Sequence, residues 1–314
     1  MIVSNLTENS GKHPLVMATL TLLVAGIGFL LVGPLIGFFI STPFFDGTIL
    51  EQAEKMADPM SHEEFRVPLY LMQGCATLIG LAVLPIIFTF GAERKGLNYF
   101  FGGVKNYGIM FLLLLILTIA FMATNSVLIS WNANLHFPDF MNGFETWARN
   151  YESKAEALTK FMTQFESGGE FLLAFVVIAI FPAVSEELLF RGMLQRQLHQ
   201  GLGNIHVAIW TSAILFSAFH LQFFGFVPRL LLGGLFGYLY YWSGNLWMPI
   251  FAHFVNNGFS VVMIYLNQKG VVDMDVESTD TVAPWPAVVA SAFLVIALLY
   301  YFKLFFDRKN QIHG

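Results

Sequence analysis

Three ionisable residues lie together in an apolar part of the chain. Residues 171–180 contain no polar side chain, and the segment after them carries Glu186, Glu187 and Arg191. An ionisable side chain at bilayer depth costs several kcal/mol, so it usually faces the protein interior and serves a function. Glu187 and Arg191 are four residues apart, in the acid-first order that favours an ion pair on one helix face. Glu186 lies roughly 100° round the helix from Glu187 and stays available for chemistry. Alternatively, the three residues mark a helix end at the headgroups.

A histidine follows on the next apolar segment. His220 ends the run Phe216-Ser-Ala-Phe-His220. From the middle of the turn at 201–204, Glu186 lies ~16 residues back and His220 ~17 residues on, so two antiparallel helices bring them to nearly the same depth. A lone histidine on an apolar face is more often a satisfied core residue. Level with a carboxylate, His220 becomes a candidate partner of Glu186.

A second histidine lies on a later apolar segment. His253 and Asn257 are four residues apart and share one helix face. One interpretation is that both are polar residues that join membrane helices. However, the predicted helices before residue 131 are almost free of ionisable groups, so we favour a functional pocket. The pattern predicts that one cavity is lined by Glu186, His220, His253 and Asn257, with Glu187 against Arg191.

These residue types suit hydrolysis of an amide. The sequence has no Gly-x-Ser-x-Gly motif and no Gly-rich phosphate loop. A carboxylate beside an imidazole can deprotonate a water, and a second histidine with an Asn amide can donate hydrogen bonds to an oxyanion. Alternatively, Glu186, His220 and His253 are ligands of a zinc ion. His-Glu-x-x-His is absent, so the spacing leaves both interpretations open.

The composition shows which elements must position these residues. Hydrophobic residues make up 56% of the 314 residues and charged residues 12%, against roughly 25% charged in soluble domains. The small, dispersed net charge of -5 gives no indication of a nucleic-acid partner, and a single cysteine excludes an intramolecular disulfide. We predict an all-α polytopic membrane bundle of about eight transmembrane helices. Apolar runs of about 20 residues fall at about 15–40, 68–90, 108–130, 170–190, 205–221, 226–242, 247–266 and 285–306.

Flanking charges predict the orientation in the membrane. The first apolar run is too long for a signal-peptide core, so we expect a retained helix. Lys and Arg favour the predicted inner flanks, for example Arg94, Lys95 and Lys105, whereas Arg229 falls on an outer flank. This bias predicts that both termini are cytoplasmic. The compact loops indicate an integral protein of a bacterial inner (plasma) membrane.

We divide the chain into three parts. Residues 1–169 hold three transmembrane helices and an amphipathic helix in the loop at 131–169, which would lie in the membrane interface. This helix is passive in one interpretation and a lid or substrate guide in the other. Residues 170–266 form a catalytic core of four helices, and residues 267–314 hold an acidic loop and the last helix.

Three motifs carry a resemblance to a known family. Glu186-Glu-x-x-x-Arg191, Phe216-x-x-x-His220 and His253-x-x-x-Asn257 resemble, without substitution, the motifs of the CPBP intramembrane proteases. That family includes the type II CAAX prenyl endopeptidases and bacterial proteins linked to bacteriocin processing and self-immunity. The resemblance covers about residues 170–266.

The resemblance implies a role for each residue. Glu186 would be the general base that activates water, assisted by His220. His253 and Asn257 would stabilise the oxyanion, and the Glu187–Arg191 pair would brace the site. The resemblance implies a peptide or protein substrate, which is prenylated in the eukaryotic relatives. We favour a mechanism without a metal cofactor because the acid–base pair suffices, although zinc held by Glu186, His220 and His253 stays an alternative.

We consider three functions. The leading hypothesis is an intramembrane endopeptidase that cuts a membrane-associated or lipidated peptide or protein, reached from the lipid or the cytosolic side. The rival is a non-catalytic membrane protein that gives immunity to a bacteriocin or other peptide toxin, or that scaffolds a partner. A transporter with a proton relay is the third, and the lack of an evident inverted repeat argues against it.

Overall fold

The computed structural model describes residues 13–93, 101, 108–273 and 282–312. Within these residues the chain is helical, and the only β-pairing is an isolated bridge between Phe101 and Asn245. The helices are α1 Pro14–Phe44, α2 Ile49–Lys55, α3 Glu63–Ala92, α4 Gly108–Ala133, α5 Asn142–Met162, α6 Gly168–Leu202, α7 Ile205–Phe219, α8 Phe223–Ser243, α9 Trp247–Gln268 and α10 Trp285–Ile312. The expected acidic loop falls mainly on 274–281, and the flanking Arg94, Lys95 and Lys105 also lie outside the described residues.

Seven helices are long and apolar enough to cross a membrane, namely α1, α3, α4, α6, α8, α9 and α10. The predicted all-α membrane bundle of about eight helices is therefore confirmed, and the protein is an integral membrane protein. The fifth predicted span, α7, has only 15 residues. At 1.5 Å per residue it measures about 22 Å, less than a hydrocarbon core of about 30 Å.

The site-bearing helices α6 to α9 pack between two outer groups. On one side, Ala25 and Leu81 of α1 and α3 join a buried cluster with Leu189 and Phe216. On the other side, Leu114 of α4 and Val295 of α10 pack with α8 and α9. Large apolar side chains that remain exposed, such as Leu30 and Phe293, suit a lipid surround.

Glycines bring α1 and α3 into close contact. A Cβ on Gly80 would lie 2.4 Å from the Phe29 amide nitrogen, and a Cβ on Gly28 would lie 2.7 Å from the Gly80 Cα. Small residues that let backbones approach in this way are typical of helix contacts in membranes. The α1–α3 contact therefore depends on the missing side chains.

We expect Gly80→Ala to destabilise the protein by roughly 1–3 kcal/mol, because the added methyl must push backbone aside. Gly26→Ala is the matched control, since a Cβ there has no heavy atom within 4 Å. The control gains helix propensity and should be neutral or slightly stabilising. Unfolding of the detergent-solubilised variants measures both effects. Equal stability of the two variants would contradict the close α1–α3 packing.

Helix α6 widens on both sides of its carboxylate pair. A π-helical segment, Val176–Ile180, precedes Pro182, and a second one, Leu188–Leu194, follows Glu187. Proline lacks an N–H and its ring clashes with the preceding turn, and a wider turn accommodates this. Segments of π-helix are frequent at functional sites. The carboxylates thus lie in a seven-residue α-helical stretch, Phe181–Glu187, between two wide turns.

The C-terminal end of α5 is attached to the bundle by buried polar contacts. Arg66, 3% exposed, donates from Nη1 to Glu166 at 3.0 Å and to Glu170 at 3.1 Å. Just beyond α5, the Gln268 amide donates to the Thr163 carbonyl at 2.6 Å. A helix occupies the place where the sequence predicted one, and the residues directly after it are fixed to α3 and α9.

Glu145 fixes the loop before α5. Its Oε2 accepts from the Phe137 N–H at 2.7 Å, and its Oε1 accepts from Arg149 Nε at 2.8 Å. These hydrogen bonds lower the pKa of Glu145 from 4.5 to about 2, and the one from the Phe137 N–H has the largest effect. A carboxylate with a lowered pKa stabilises the fold above its ordinary pKa, and that contribution is lost as the pH falls through the folded-state pKa.

We therefore expect the backbone of residues 134–141 to lose protection between about pH 4.5 and pH 2. Amide hydrogen exchange, corrected for its intrinsic pH dependence, measures this protection. Glu145→Gln should already be less protected at neutral pH and lose this pH dependence. The exposed Glu156 on the same helix supplies the control, Glu156→Gln. Identical protection in Glu145→Gln and the control would refute the assignment.

Candidate active site

Glu187 is the centre of the buried polar cluster. Its side chain is 0% exposed, and its Oε1 accepts from Arg191 Nη1 and from His253 Nδ1, both at 2.8 Å. A carboxylate can only accept, so His253 carries its proton on Nδ1. A buried carboxylate is tolerated only when its charge is paired and hydrogen-bonded. The structure thus places Glu187 against Arg191, as spacing predicted, and adds His253 from α9.

Arg191 is held on three sides. Besides Glu187, its Nη2 donates to the Gly233 carbonyl of α8 at 2.8 Å. Its guanidinium lies 4.7 Å from the ring centroid of Phe216 and 5.4 Å from that of Phe236. Cation–π contacts of this kind strengthen when they are desolvated. Arg191 therefore joins α6, α7 and α8 around the carboxylate.

His253 is oriented through its face and both nitrogens. The ring stacks on Phe236, with centroids 5.1 Å apart and an interplanar angle of 22°. The Asn257 amide lies 3.2 Å from Nε2 and 3.2 Å from the Ile178 carbonyl. With Nδ1 protonated, Nε2 accepts from that amide. His253 is 3% exposed, so it faces the bundle interior and not the lipid.

Glu186 presents a less restrained carboxylate beside this histidine. Its Oε2 lies 3.9 Å from His253 Nε2, too far for a direct hydrogen bond. Among the described residues, this buried oxygen has no hydrogen-bond partner. Arg191 and His253 therefore fix Glu187 through its Oε1, whereas Glu186 accepts no hydrogen bond at Oε2 from the described part of the chain.

His220 lies next to this cluster at the end of α7. Its Nδ1 is 2.9 Å from the Phe216 carbonyl, which can only accept, so Nε2 carries the lone pair. The Phe216 ring contacts the imidazoles of both His220 and His253, at 5.2 and 6.1 Å between centroids. Each of the other five predicted residues has a side-chain atom within 3.9 Å of another of the five. His220 is linked to them by the Phe216 ring, which contacts both imidazoles.

The zinc alternative does not fit the residues as placed. His253 uses Nδ1 for Glu187 and Nε2 for Asn257, so neither nitrogen has a lone pair for a metal. Over the described ranges, no group of three or more His, Cys, Asp or Glu side chains is arranged to hold a metal ion.

An apolar cavity of about 260 Å³ lies between α4, α6 and α9. Its wall includes Phe111, Val184 and Phe254. Val184 precedes Glu186 by two residues, and Phe254 follows His253 directly. The cavity could therefore hold an apolar group next to the segments of α6 and α9 that carry the polar cluster.

Arg229 lies beside the candidate site, and the sequence-based interpretation did not assign it there. From the sequence it counts only as a flanking charge. In the structure its Nη2 donates at 2.7 Å to the carbonyl of Gln222, two residues after His220. The available signal was an arginine within the apolar run at 226–242, because intramembrane charges are usually functional.

Fold and site together define a polytopic membrane protein with a buried acid–imidazole cluster. Residues 168–259, the segment from α6 into α9, match the family model Type II CAAX prenyl endopeptidase Rce1-like. The predicted resemblance is therefore confirmed over this segment. It contains every residue of the predicted site.

A curated relative matches a similar length of chain. The "Uncharacterized protein YpbD" of Bacillus subtilis (strain 168) is 32% identical over 84 residues, which are 26% of this chain and 40% of the relative. The chain thus spans about 40% of the length of that relative. No solved structure matches this chain.

Proposed function

We propose that the protein is an intramembrane endopeptidase that hydrolyses a peptide bond by direct attack of water. The observation that carries the proposal is Glu186, a carboxylate with an unpartnered buried oxygen, 3.9 Å from a histidine fixed at both nitrogens. An unsatisfied buried polar group costs free energy, and catalysis is a reason to retain one. The family match over residues 168–259 supports the same reaction class.

Glu186 is the general base in this mechanism. It accepts a proton from water, and the hydroxide oxygen adds to the substrate carbonyl. The carbon–nitrogen bond then breaks, and the departing nitrogen receives the proton from Glu186. His220 assists through Nε2, the nitrogen left with a lone pair.

The oxyanion of the tetrahedral intermediate needs hydrogen-bond donors. The Asn257 amide supplies one such donor once the substrate oxygen replaces His253 Nε2 as its acceptor. His253 donates from Nε2 only when that nitrogen is protonated. Glu187 and Arg191 act by holding His253 and not by contacting substrate.

The proposed substrate is a peptide or protein held in the membrane. The apolar cavity between α4, α6 and α9 supports a substrate with an apolar or lipidated group near the scissile bond. We place the catalytic core at residues 170–266 and the protein in a bacterial inner membrane, with both termini in the cytoplasm. The flanking charges of the sequence support this orientation.

A reconstituted cleavage assay tests the proposal. Wild type and Glu186→Gln are incubated in liposomes with a pool of membrane peptides, with and without a chelator, and new termini are identified by mass spectrometry. We expect products from the wild type only, at equal yield with chelator. No product from either protein, with toxin protection that survives Glu186→Gln, would instead support the immunity or scaffolding function.

A further inference from the structure

The turn after α7 carries His220 and has an unusual backbone. Leu221, the residue after it, has φ of +55° and is the only non-glycine with positive φ among the described residues. This left-handed conformation is strained for an ordinary L-residue, because Cβ comes close to the following carbonyl oxygen. Such strain persists only where the surroundings over-determine it, and it clusters at functional sites. The placement of His220 therefore depends on the groups that hold this turn.

Helix α5 holds the turn from outside the predicted core. Both carboxylate oxygens of Glu152 lie close to the Phe224 amide nitrogen, at 3.1 and 3.3 Å. The Arg149 guanidinium, one helical turn earlier, lies 4.0 Å from the Phe224 ring centroid. Phe144 packs on Phe223 with ring centroids 4.9 Å apart. One face of α5 thus contacts both the backbone and the rings of the turn.

Two further side chains complete the restraint. The Asn132 amide of α4 donates to the Phe223 carbonyl at 3.2 Å, and its oxygen accepts from the Val227 N–H at 2.8 Å. Arg229 donates to the Gln222 carbonyl at 2.7 Å. Three successive residues, 222–224, are therefore each hydrogen-bonded by a side chain from elsewhere in the chain. Of these three side chains, Glu152 alone comes from α5.

We propose that Glu152 is a positioning residue that acts on His220 by holding the Phe224 amide and so keeping the strained Leu221 turn closed. This inference rests on the proposed function, because it gives His220 a placement that matters for water activation. Burial raises the pKa of Glu152, and the hydrogen bond from the Phe224 N–H, followed by the charge of Arg229, partly offsets this effect. Glu152 and Arg229 thus hold residues 224 and 222 of the same turn.

Histidine NMR of the whole protein in nanodiscs tests the link. The protein is labelled with ¹⁵N-histidine, and the His220 signals are assigned with His220→Gln. Glu152→Ala removes the acceptor, Glu152→Gln keeps one oxygen for the Phe224 N–H, and Glu156→Ala removes an exposed carboxylate from the same helix. We expect Glu152→Ala to shift or broaden the His220 signals and to leave those of His253 unchanged. Glu152→Gln should restore them, and Glu156→Ala should have no effect.

The cleavage assay adds a second readout on the same variants. A displaced catalytic group lowers turnover, and about 1 Å of misplacement can cost roughly 100-fold. We expect kcat of Glu152→Ala to fall about 10- to 100-fold with KM nearly unchanged, and Glu152→Gln to recover most of the loss.

Three results distinguish the positioning role of Glu152 from a general loss of structure and from a failure of the proposed protease activity. Unchanged His220 signals in Glu152→Ala would overturn the positioning role. Equal changes at His220 and His253, with a lower unfolding temperature, would also overturn it, because they indicate a general loss of structure. A selective change at His220 in a protein whose wild type cleaves nothing would overturn the proposed protease and leave the link between Glu152 and His220 standing.

Discussion

Glu186→Gln should lower the rate of peptide cleavage by roughly 10²–10⁴-fold, the usual contribution of a general base. The amide has nearly the same shape but cannot accept a proton from water. The fold should not suffer, because Oε2 of Glu186 is buried without a hydrogen-bond partner in the described structure. Removing an unpaired buried charge is neutral or stabilising. Loss of turnover without loss of stability is thus the expected signature.

Initial rates and unfolding temperatures of matched preparations measure these two effects. Glu186→Asp keeps the carboxylate but shortens its reach, so it should retain more activity than the Gln variant. Glu156→Gln, at an exposed position on α5, controls for the loss of one carboxylate and should behave as the wild type. Cleavage by Glu186→Gln at the wild-type rate would remove Glu186 from the mechanism.

Local patterns account for the parts of the structure that the sequence predicted. The helices follow from apolar runs long enough to cross a bilayer. The contact between Glu187 and Arg191 follows from their four-residue spacing on one helix. Both inferences need only neighbours along the chain. The same kind of inference placed a helix within the loop before α6, where the structure has α5.

Contacts between distant helices could not be predicted in this way. Glu187 and His253 are 66 residues apart, and their contact depends on the register between α6 and α9. The same holds for the Gly233 carbonyl that binds Arg191, since a backbone group has no sequence signature. The contact of Glu152 with Phe224 spans 72 residues and depends on where α5 docks. The motifs identify the residues of the site, and these long-range contacts determine how their side chains are oriented.

The second large effect concerns stability. We expect Arg191→Met to lower the free energy of unfolding by roughly 3–5 kcal/mol, because it leaves the buried Glu187 charge without its cation. The variant also loses the bond to the Gly233 carbonyl. Steric trapping or denaturant unfolding in a bilayer mimic measures the loss. Lys55→Met, which breaks the exposed pair with Glu64, is the control and should change stability little.

A double variant separates the ion pair's effect on stability from its effect on the site. When both members of a buried pair are replaced by apolar residues, much of the lost stability usually returns. Glu187→Met/Arg191→Met should therefore be more stable than Arg191→Met alone. It should still cleave peptides no faster than Arg191→Met does. In both comparisons the site depends on His253, which in the double variant has lost the carboxylate that fixes its Nδ1 proton and holds its Nε2 opposite Glu186. Recovery of both stability and cleavage would mean that the pair is needed only for folding, and that His253 is oriented by Phe236 and Asn257 alone.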